Sequence, residues 1–208
     1  MTDSSTQILS INSSNWSDHL LTLQDLCLTA QKDSRTAAQN LRWEDWEHTS
    51  NSLMHAIVKQ KRFDGGAGQF DVVIHRGRPV AAGGCYLSDW SEKVMMIGVR
   101  TWTDPRSKNL WWHGNLLMPR QLDLARNLGC AAAVMSFNTY NDRLRAALER
   151  TSKKQAVLLG IRPPDFYSDL HFLDGHYDIK YTKQSIAVKL ITCDLQEFVQ
   201  RHTPPRYQ

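Results

Sequence analysis

The order of apolar patterns along this 208-residue chain predicts a fold of the mixed α/β (α+β) class. Strand-like runs alternate with runs at helical spacing. The predicted order is strand, two helices, three strands, helix, strand, helix and two strands, with a short helix at the end. The unit from Lys93 to Arg150 organises the rest, because loops and helix N-termini in such units present N–H groups to anions.

Composition and length indicate an ordinary globular protein. Hydrophobic residues make up 41% of the chain and charged residues 22%, and 208 residues fit one domain, or one domain with an appendage. No run approaches the roughly 20 apolar residues that span a bilayer. The polar N-terminus lacks the features of a signal peptide. We therefore expect a cytoplasmic protein with no membrane partner.

Charge and cysteine spacing disfavour two further classes of protein. The net charge of +4 comes from 25 basic and 21 acidic residues spread along the chain, which does not favour nucleic-acid binding. The four cysteines are far apart, without a C-x-x-C pair or histidines at metal spacing. Buried free thiols and no metal site are expected.

The first third of the chain predicts a strand and two helices. Gln7–Ile11 has a strand pattern, and Ser17 is a suitable N-cap for a helix over Asp18–Gln31. A second apolar stripe predicts a helix over Trp43–Gln60. The glycine-rich Asp64–Gln69 lacks the Lys-Ser/Thr of a phosphate loop and precedes a strand, so it is interpreted as a flexible connection.

The middle and end of the chain are rich in strand patterns. Phe70–His75 and Pro79–Leu87 form a predicted hairpin around Arg76-Gly77, followed by a third strand, Val94–Thr103. The helix pattern LDLARNLGC spans Leu122–Cys130, and Pro119 indicates that the helix starts or kinks there. The remaining predicted elements are a strand at Ala131–Phe137, a helix opening at Asn138–Asn141, strands Tyr177–Tyr181 and Ser185–Thr192, a helix Asp194–Arg201 and a frayed tail.

Three segments resemble the GNAT superfamily of N-acetyltransferases. HRGRPVAAGGCYL resembles the family's second and third strands, LDLARNLGC its third helix, with Ala125 and Gly129 in the usual places, and NDRLRAALER its fourth helix. The resemblance covers about Gln7 to Thr192. It implies a single domain over residues 1–208, with its core at 7–192 and a C-terminal helix and tail at 194–208. It also implies a mixed, mainly antiparallel sheet of six to seven strands with helices on both faces.

The resemblance implies acetyl-coenzyme A as co-substrate, between the splayed fourth and fifth strands. Pantetheine would pair with the fourth strand, which ends at Trp102 and Thr103, and the diphosphate would sit on N–H groups before the third helix. The family's phosphate motif maps onto Asn109 to Gly114 and keeps only Gly114, with Trp112 in place of a glycine.

Basic residues of this loop offer an alternative way to hold the diphosphate. Counting forward from Pro105 places Lys108, rather than Asn109, at the family's basic position. Arg106, Lys108 and His113 would then supply side-chain charge. The alternatives are that the first two are solvated loop charges and that His113 is a packed ring. Trp111 and Trp112 either cap the core or form an aromatic wall for a ligand or partner.

The resemblance also implies catalytic positions. The family's general acid, a Tyr in the fourth helix, falls on Leu148, and Tyr140 is the nearest substitute. Asn138 and Asn141 match positions that contact pantetheine, or act as N-caps. The carboxylates closest to the expected cleft are Glu92, at the start of the fourth strand, and Asp89, in the preceding turn. Each is a candidate general base or a turn residue, and Glu92 is the one assigned as the base.

Two functions follow from these assignments. The first is an N-acyltransferase that moves an acetyl group from acetyl-coenzyme A to an amine of a small molecule or a protein. The second is a non-catalytic protein of the same fold, for example in a virus particle. In that case the Trp111-Trp112 loop is a candidate contact surface for a protein partner.

Overall fold

A computed structural model describes residues 5–23, 53–103, 112–138, 146, 149, 169–179 and 182–206. The chain divides into two units, Met1–Tyr86 with Arg100–Leu117 and Leu87–Val99 with Met118–Gln208. The described residues contain seven strands. Within the units, four strand pairs are antiparallel and one is parallel. The predicted mixed, mainly antiparallel α/β fold is therefore confirmed.

The first unit contains three antiparallel strands, β1 (Thr6–Ser10), β2 (Gly68–His75) and β3 (Arg78–Leu87), in the order β1-β2-β3. The predicted hairpin joins β2 to β3. Arg76 and Gly77 have φ angles of +51° and +72°, the pair of left-handed residues that matches the twist of a two-residue hairpin. Phe70, Val72 and Val73 on β2 are fully buried, so this strand carries much of the unit's core.

The predicted helices before β2 are confirmed only where the chain is described. A 3₁₀ turn at Trp16–His19 leads into helical residues 20–23, the start of the helix predicted at Asp18–Gln31. A π-helical turn at His55–Lys59 lies at the end of the helix predicted at Trp43–Gln60. The rest of both predicted helices lies outside the described residues.

The glycine-rich connection before β2 is tied to the segment that follows β1. The Asp64 carboxylate accepts hydrogen bonds from the Ser13 N–H at 2.9 Å and from the Ser13 hydroxyl. Gly68 fits where no other residue does, because a Cβ there would lie 2.0 Å from the Arg62 carbonyl oxygen. The segment is therefore a connection to β2, as predicted, but hydrogen bonds to Ser13 hold it where a flexible connection was expected.

We expect Ser13→Ala to raise the pKa of Asp64. The Ser13 hydroxyl and then the Ser13 N–H favour the charged carboxylate and lower this pKa from its ordinary value. Because the folded-state pKa is lowered, the stabilisation is complete above the unfolded-state pKa and is lost as pH falls through the folded-state value. NMR titration of the Asp64 carboxyl in both proteins measures the change, and identical pKa values would contradict it.

The second unit contains residues 94–99 of β4 (Val94–Thr103) and strands β5 (Ala132–Asn138), β6 (His171–Ile179) and β7 (Thr182–Leu190). Their order is β4-β5-β7-β6. Helix α1 (Met118–Asn127) contacts β5. A π-helical turn, His113–Leu117, precedes α1 in the chain, so the helix change predicted at Pro119 is confirmed.

The C-terminal helix α2 (Leu195–Arg201) is capped by Asp194, whose side chain accepts the Glu197 N–H at 2.8 Å. The tail after α2 is not frayed where it is described, which corrects the prediction. The Asp178 N–H of β6 donates to the Pro205 carbonyl at 2.8 Å, and the Arg206 guanidinium lies 4.9 Å from the centre of the Tyr177 ring. The tail therefore adds main-chain pairing to β6.

Within the described ranges, no helix combines the length and the apolar character that a membrane span requires.

Candidate active site

The central feature of the second unit is a short parallel pairing between β4 and β5. Its register covers only three residue pairs, from Val94↔Ala132 to Met96↔Val134. Beyond this point β5 continues against β7 as far as Asn138↔Gln184. We call the segments just past the last pair, residues 97–99 of β4 and 135–137 of β5, the fork. At the fork β5 is paired to β7 and is no longer in register with β4.

Gly98 explains why the pairing ends where it does. Its φ angle is +63°, in the left-handed region, two residues after the last β4–β5 pair. A strand with a left-handed residue cannot keep the extended geometry that a regular ladder needs. Glycine adopts this conformation without the steric cost that a Cβ imposes. A single glycine in β4 thus ends the pairing and creates the fork.

Gln121 of α1 reaches β4 at the same place. Its side-chain Oε1 accepts the Gly98 N–H at 2.9 Å, and the residue has no exposed surface. Because the backbone N–H is a donor, the atom facing it must be the amide oxygen, which fixes the orientation of the Gln121 amide. Main chain and helix are therefore joined at the fork by one buried hydrogen bond.

The other end of the Gln121 amide is unusual. Nε2 is buried and has no hydrogen-bond partner among the described residues. Nearly all buried polar groups in folded proteins are hydrogen-bonded, and leaving a donor unsatisfied costs about 1–3 kcal/mol. The amide geometry keeps Nε2 within about 5 Å of the Gly98 nitrogen. A buried donor that suits an oxygen acceptor therefore lies beside the fork.

Sequence reasoning missed Gln121, although a signal was present. The buried face of α1 consists of Met118, Gln121, Leu122 and Ala125, so a neutral polar residue interrupts an otherwise apolar stripe. An amide at a core position must find partners, which makes such an interruption informative.

In the first unit, Trp112 and His113 occupy the positions that the resemblance gives to a bare phosphate loop. The Trp112 ring is partly buried against Val73, Val80, Ala81 and Leu117, and its centre lies 5.0 Å from that of the His75 ring. This arrangement supports the core-cap interpretation of Trp112. His113 is only 1% exposed, which fits the interpretation of this residue as a packed ring. Gly114, the retained glycine, is buried beside it.

Glu92 lies away from the fork, and its role as the candidate base stays a prediction. It is exposed in the turn before β4, and the β4–β5 pairing begins at Val94. The fork lies beyond the opposite end of this pairing. Six residues of chain separate Glu92 from Gly98, about 20 Å if the chain is extended. The turn-residue interpretation fits this position.

Only three of the remaining candidate residues lie in the described part of the chain. Trp102 and Thr103 form the C-terminal end of β4, and Asn138 ends β5, where its backbone pairs with Gln184. The other predicted site residues lie outside the described residues: Arg106, Lys108, Asn109, Tyr140 and Asn141.

Two cysteines of the described chain, Cys130 and Cys193, are poorly suited to act as nucleophiles. Burial raises the pKa of the Cys130 thiol, and the opposing effect of Lys93 is smaller. Burial also raises the pKa of Cys193, followed by the nearby Glu197 charge. A raised pKa reduces the thiolate fraction that reacts. Among the same residues, no group of three His, Cys, Asp or Glu side chains is arranged to hold a metal ion.

Solved structures of acetyltransferases share this architecture. The acetyltransferase from Streptococcus agalactiae is 16% identical, with a TM-score of 0.57, and the match covers 91% of this chain and 100% of that one. A GNAT-family acetyltransferase from Staphylococcus aureus Mu50 is 12% identical, with a TM-score of 0.55 and coverages of 89% and 98%. The PaiA N-acetyltransferase from Thermoplasma acidophilum, solved in complex with coenzyme A, is 11% identical, with a TM-score of 0.54 and coverages of 90% and 99%.

Sequence comparisons add no closer relative. No protein-family model and no curated protein sequence matches this chain. At the identities above, likeness establishes the fold and leaves the activity to the site. The chain has the fold of the GNAT acetyltransferases, as its sequence predicts.

Proposed function

We propose that this protein is an N-acetyltransferase that moves the acetyl group of acetyl-coenzyme A to an amine. The observation that carries the proposal is the fork, where β4 and β5 lose their pairing beside a buried amide donor. An extended, amide-bearing pantetheine arm can bond to strand edges, and an orphaned N–H suits one of its carbonyl oxygens. A match to a protein solved with coenzyme A supports the same ligand.

The proposed chemistry is acyl transfer by direct attack. The amine nitrogen bonds to the thioester carbonyl carbon, the carbon–sulfur bond breaks, and the thiol of coenzyme A leaves as the amine loses a proton. Holding the thioester and the amine together supplies much of the rate acceleration when the general acid and the general base are weak. Tyr140 remains the proposed contact to the leaving thiol, and Asn138, Asn141, Trp102 and Thr103 remain proposed contacts to pantetheine.

A non-catalytic protein of this fold is the second candidate function. The packing of Trp112 against the core, where the family's loop is bare, favours it, because an indole occupies a position that a diphosphate would approach. The two candidates differ in one observable, which is the binding of acetyl-coenzyme A.

Titration of the whole protein with acetyl-coenzyme A separates these candidates. At 100 times the dissociation constant, a ligand stabilises the folded state by about 2.7 kcal/mol, or about 5–10 °C in a protein of this size. Adenosine 3′,5′-bisphosphate, which lacks the pantetheine arm, is the control and should give a smaller shift. The absence of a shift at millimolar acetyl-coenzyme A would leave only the non-catalytic candidate.

Lys108→Ala and Arg106→Ala should each weaken acetyl-coenzyme A binding. Each would remove a charge-assisted hydrogen bond to the diphosphate, which corresponds to a loss of about 10- to 100-fold in affinity. Calorimetry measures the change. Arg201→Ala is the matched control, because this side chain is 71% exposed and pairs with Glu197 on α2. Affinities equal to that of the control would refute a phosphate role for both residues.

A further inference from the structure

We propose that Gln121 is a catalytic residue whose Nε2 donates a hydrogen bond to the thioester carbonyl oxygen of bound acetyl-coenzyme A. This inference rests on the proposed function, and it assigns Gln121 to the thioester group that reacts. The side chain is fully buried in α1, its Oε1 is held by the Gly98 N–H, and its Nε2 lacks a partner in the described part of the chain.

The hydrogen bond from Gly98 determines what Gln121 can do. That N–H donates to Oε1 at 2.9 Å, so it is already engaged within the protein. The same bond holds the amide in one orientation, so its NH₂ group needs no reorganisation when a ligand arrives. The donor available at this point of β4 is therefore the Gln121 amide.

The chemistry of the thioester matches this donor. When the amine attacks, negative charge develops on the carbonyl oxygen, and a fixed N–H donor in a buried site stabilises that charge. Gln121 has no acidic proton to lose, so it acts only by hydrogen bonding. The electron pair of the breaking carbon–sulfur bond goes to the sulfur of coenzyme A, which leaves as a thiolate. The proton lost by the amine passes to solvent water, and the thiolate takes up a proton to become the thiol.

A comparison of acetyl-coenzyme A with coenzyme A addresses this contact, because the two ligands differ only in the acetyl group, which carries the carbonyl oxygen. We expect the wild-type protein to prefer acetyl-coenzyme A, and Gln121→Met to reduce that preference by about three- to tenfold, the value of one hydrogen bond. Gln121→Glu keeps an acceptor for the Gly98 N–H and replaces the amide donor. It should also lose the preference. Asp123→Ala, at an exposed position of α1, should keep it.

The outcomes separate this inference from the proposed function. If the wild-type protein binds both ligands and all variants keep its preference, Gln121 has no contact with the thioester, while the transferase proposal stands. If Gln121→Met weakens both ligands equally and Gln121→Glu weakens neither, the residue only supports β4, and the inference is also overturned. If the wild-type protein binds neither ligand, the proposed function fails and this inference fails with it. Melting temperatures confirm that each variant is folded, and either Gln121 variant suffices for the comparison.

Discussion

Gly98→Val is expected to lower both the stability of the protein and its affinity for acetyl-coenzyme A. A β-branched residue is a strong outlier at a φ angle of +63°, so the backbone of β4 must move or carry strain. Strain of this kind costs about 1–3 kcal/mol, which corresponds to a fall of about 2–12 °C in melting temperature. Movement of the Gly98 N–H would also disturb the bond that orients Gln121.

The matched control for this change is Gly77→Val. Gly77 has a φ angle of +72° in the β2–β3 hairpin, and no atom lies within 4 Å of where its Cβ would be. The backbone strain is therefore similar, but the residue lies in the first unit, on the hairpin turn. We expect both variants to melt earlier and only Gly98→Val to lose affinity, by about three- to tenfold for one disrupted hydrogen bond. Wild-type affinity in Gly98→Val, measured by calorimetry, would contradict the role given to the fork.

Trp112→Ala should destabilise the protein by about 3 kcal/mol. The indole covers the cluster of Val73, Val80, Ala81 and Leu117, and large-to-small changes at aromatic core positions cost about 3–5 kcal/mol. Because the ring is partly exposed, we expect a loss of stability at the lower end of this range. Removal of the contact with the His75 ring contributes to that loss. For a chain of this length the melting temperature should fall by about 6–12 °C.

Trp112→Phe serves as the comparison, because it keeps an aromatic ring beside His75 and should lose about half as much stability. Chemical denaturation of the three proteins gives the free energies of unfolding. A change below about 1 kcal/mol in Trp112→Ala would show that the indole does not cap the core. In that case the alternative interpretation of Trp112, an aromatic wall for a ligand or partner, would be favoured.

The strands were predictable wherever the pattern of side chains is regular. Val94–Thr103 is observed with the predicted bounds, and Arg76-Gly77 forms the predicted turn because left-handed residue pairs have a recognisable sequence. β6 begins at His171, six residues before the predicted start at Tyr177. Its register shifts between Leu173 and Tyr177, and this irregularity hides the alternation that identifies a strand.

The site was less predictable, because its chemistry depends on contacts between distant residues. Trp112 lies beside His75, and Gln121 bonds to Gly98, and neither partner is apparent from sequence spacing. The resemblance located the fourth and fifth strands correctly, but it could not locate a donor on a helix face that the family motif does not include. Glu92 is close to the fourth strand in sequence and yet lies away from the fork. It lies at the paired end of that strand.

The most direct test of the proposed site is an NMR titration of the labelled protein with acetyl-coenzyme A, observing the Gly98 backbone amide and the Gln121 side-chain amide. If the fork binds the acyl arm, both signals should shift in a saturable manner, with the dissociation constant found by calorimetry. The Gly77 amide, on the β2–β3 turn, should remain in place. Saturating ligand that leaves the Gly98 and Gln121 signals unchanged would contradict the assignment of this fork as the acetyl-coenzyme A site.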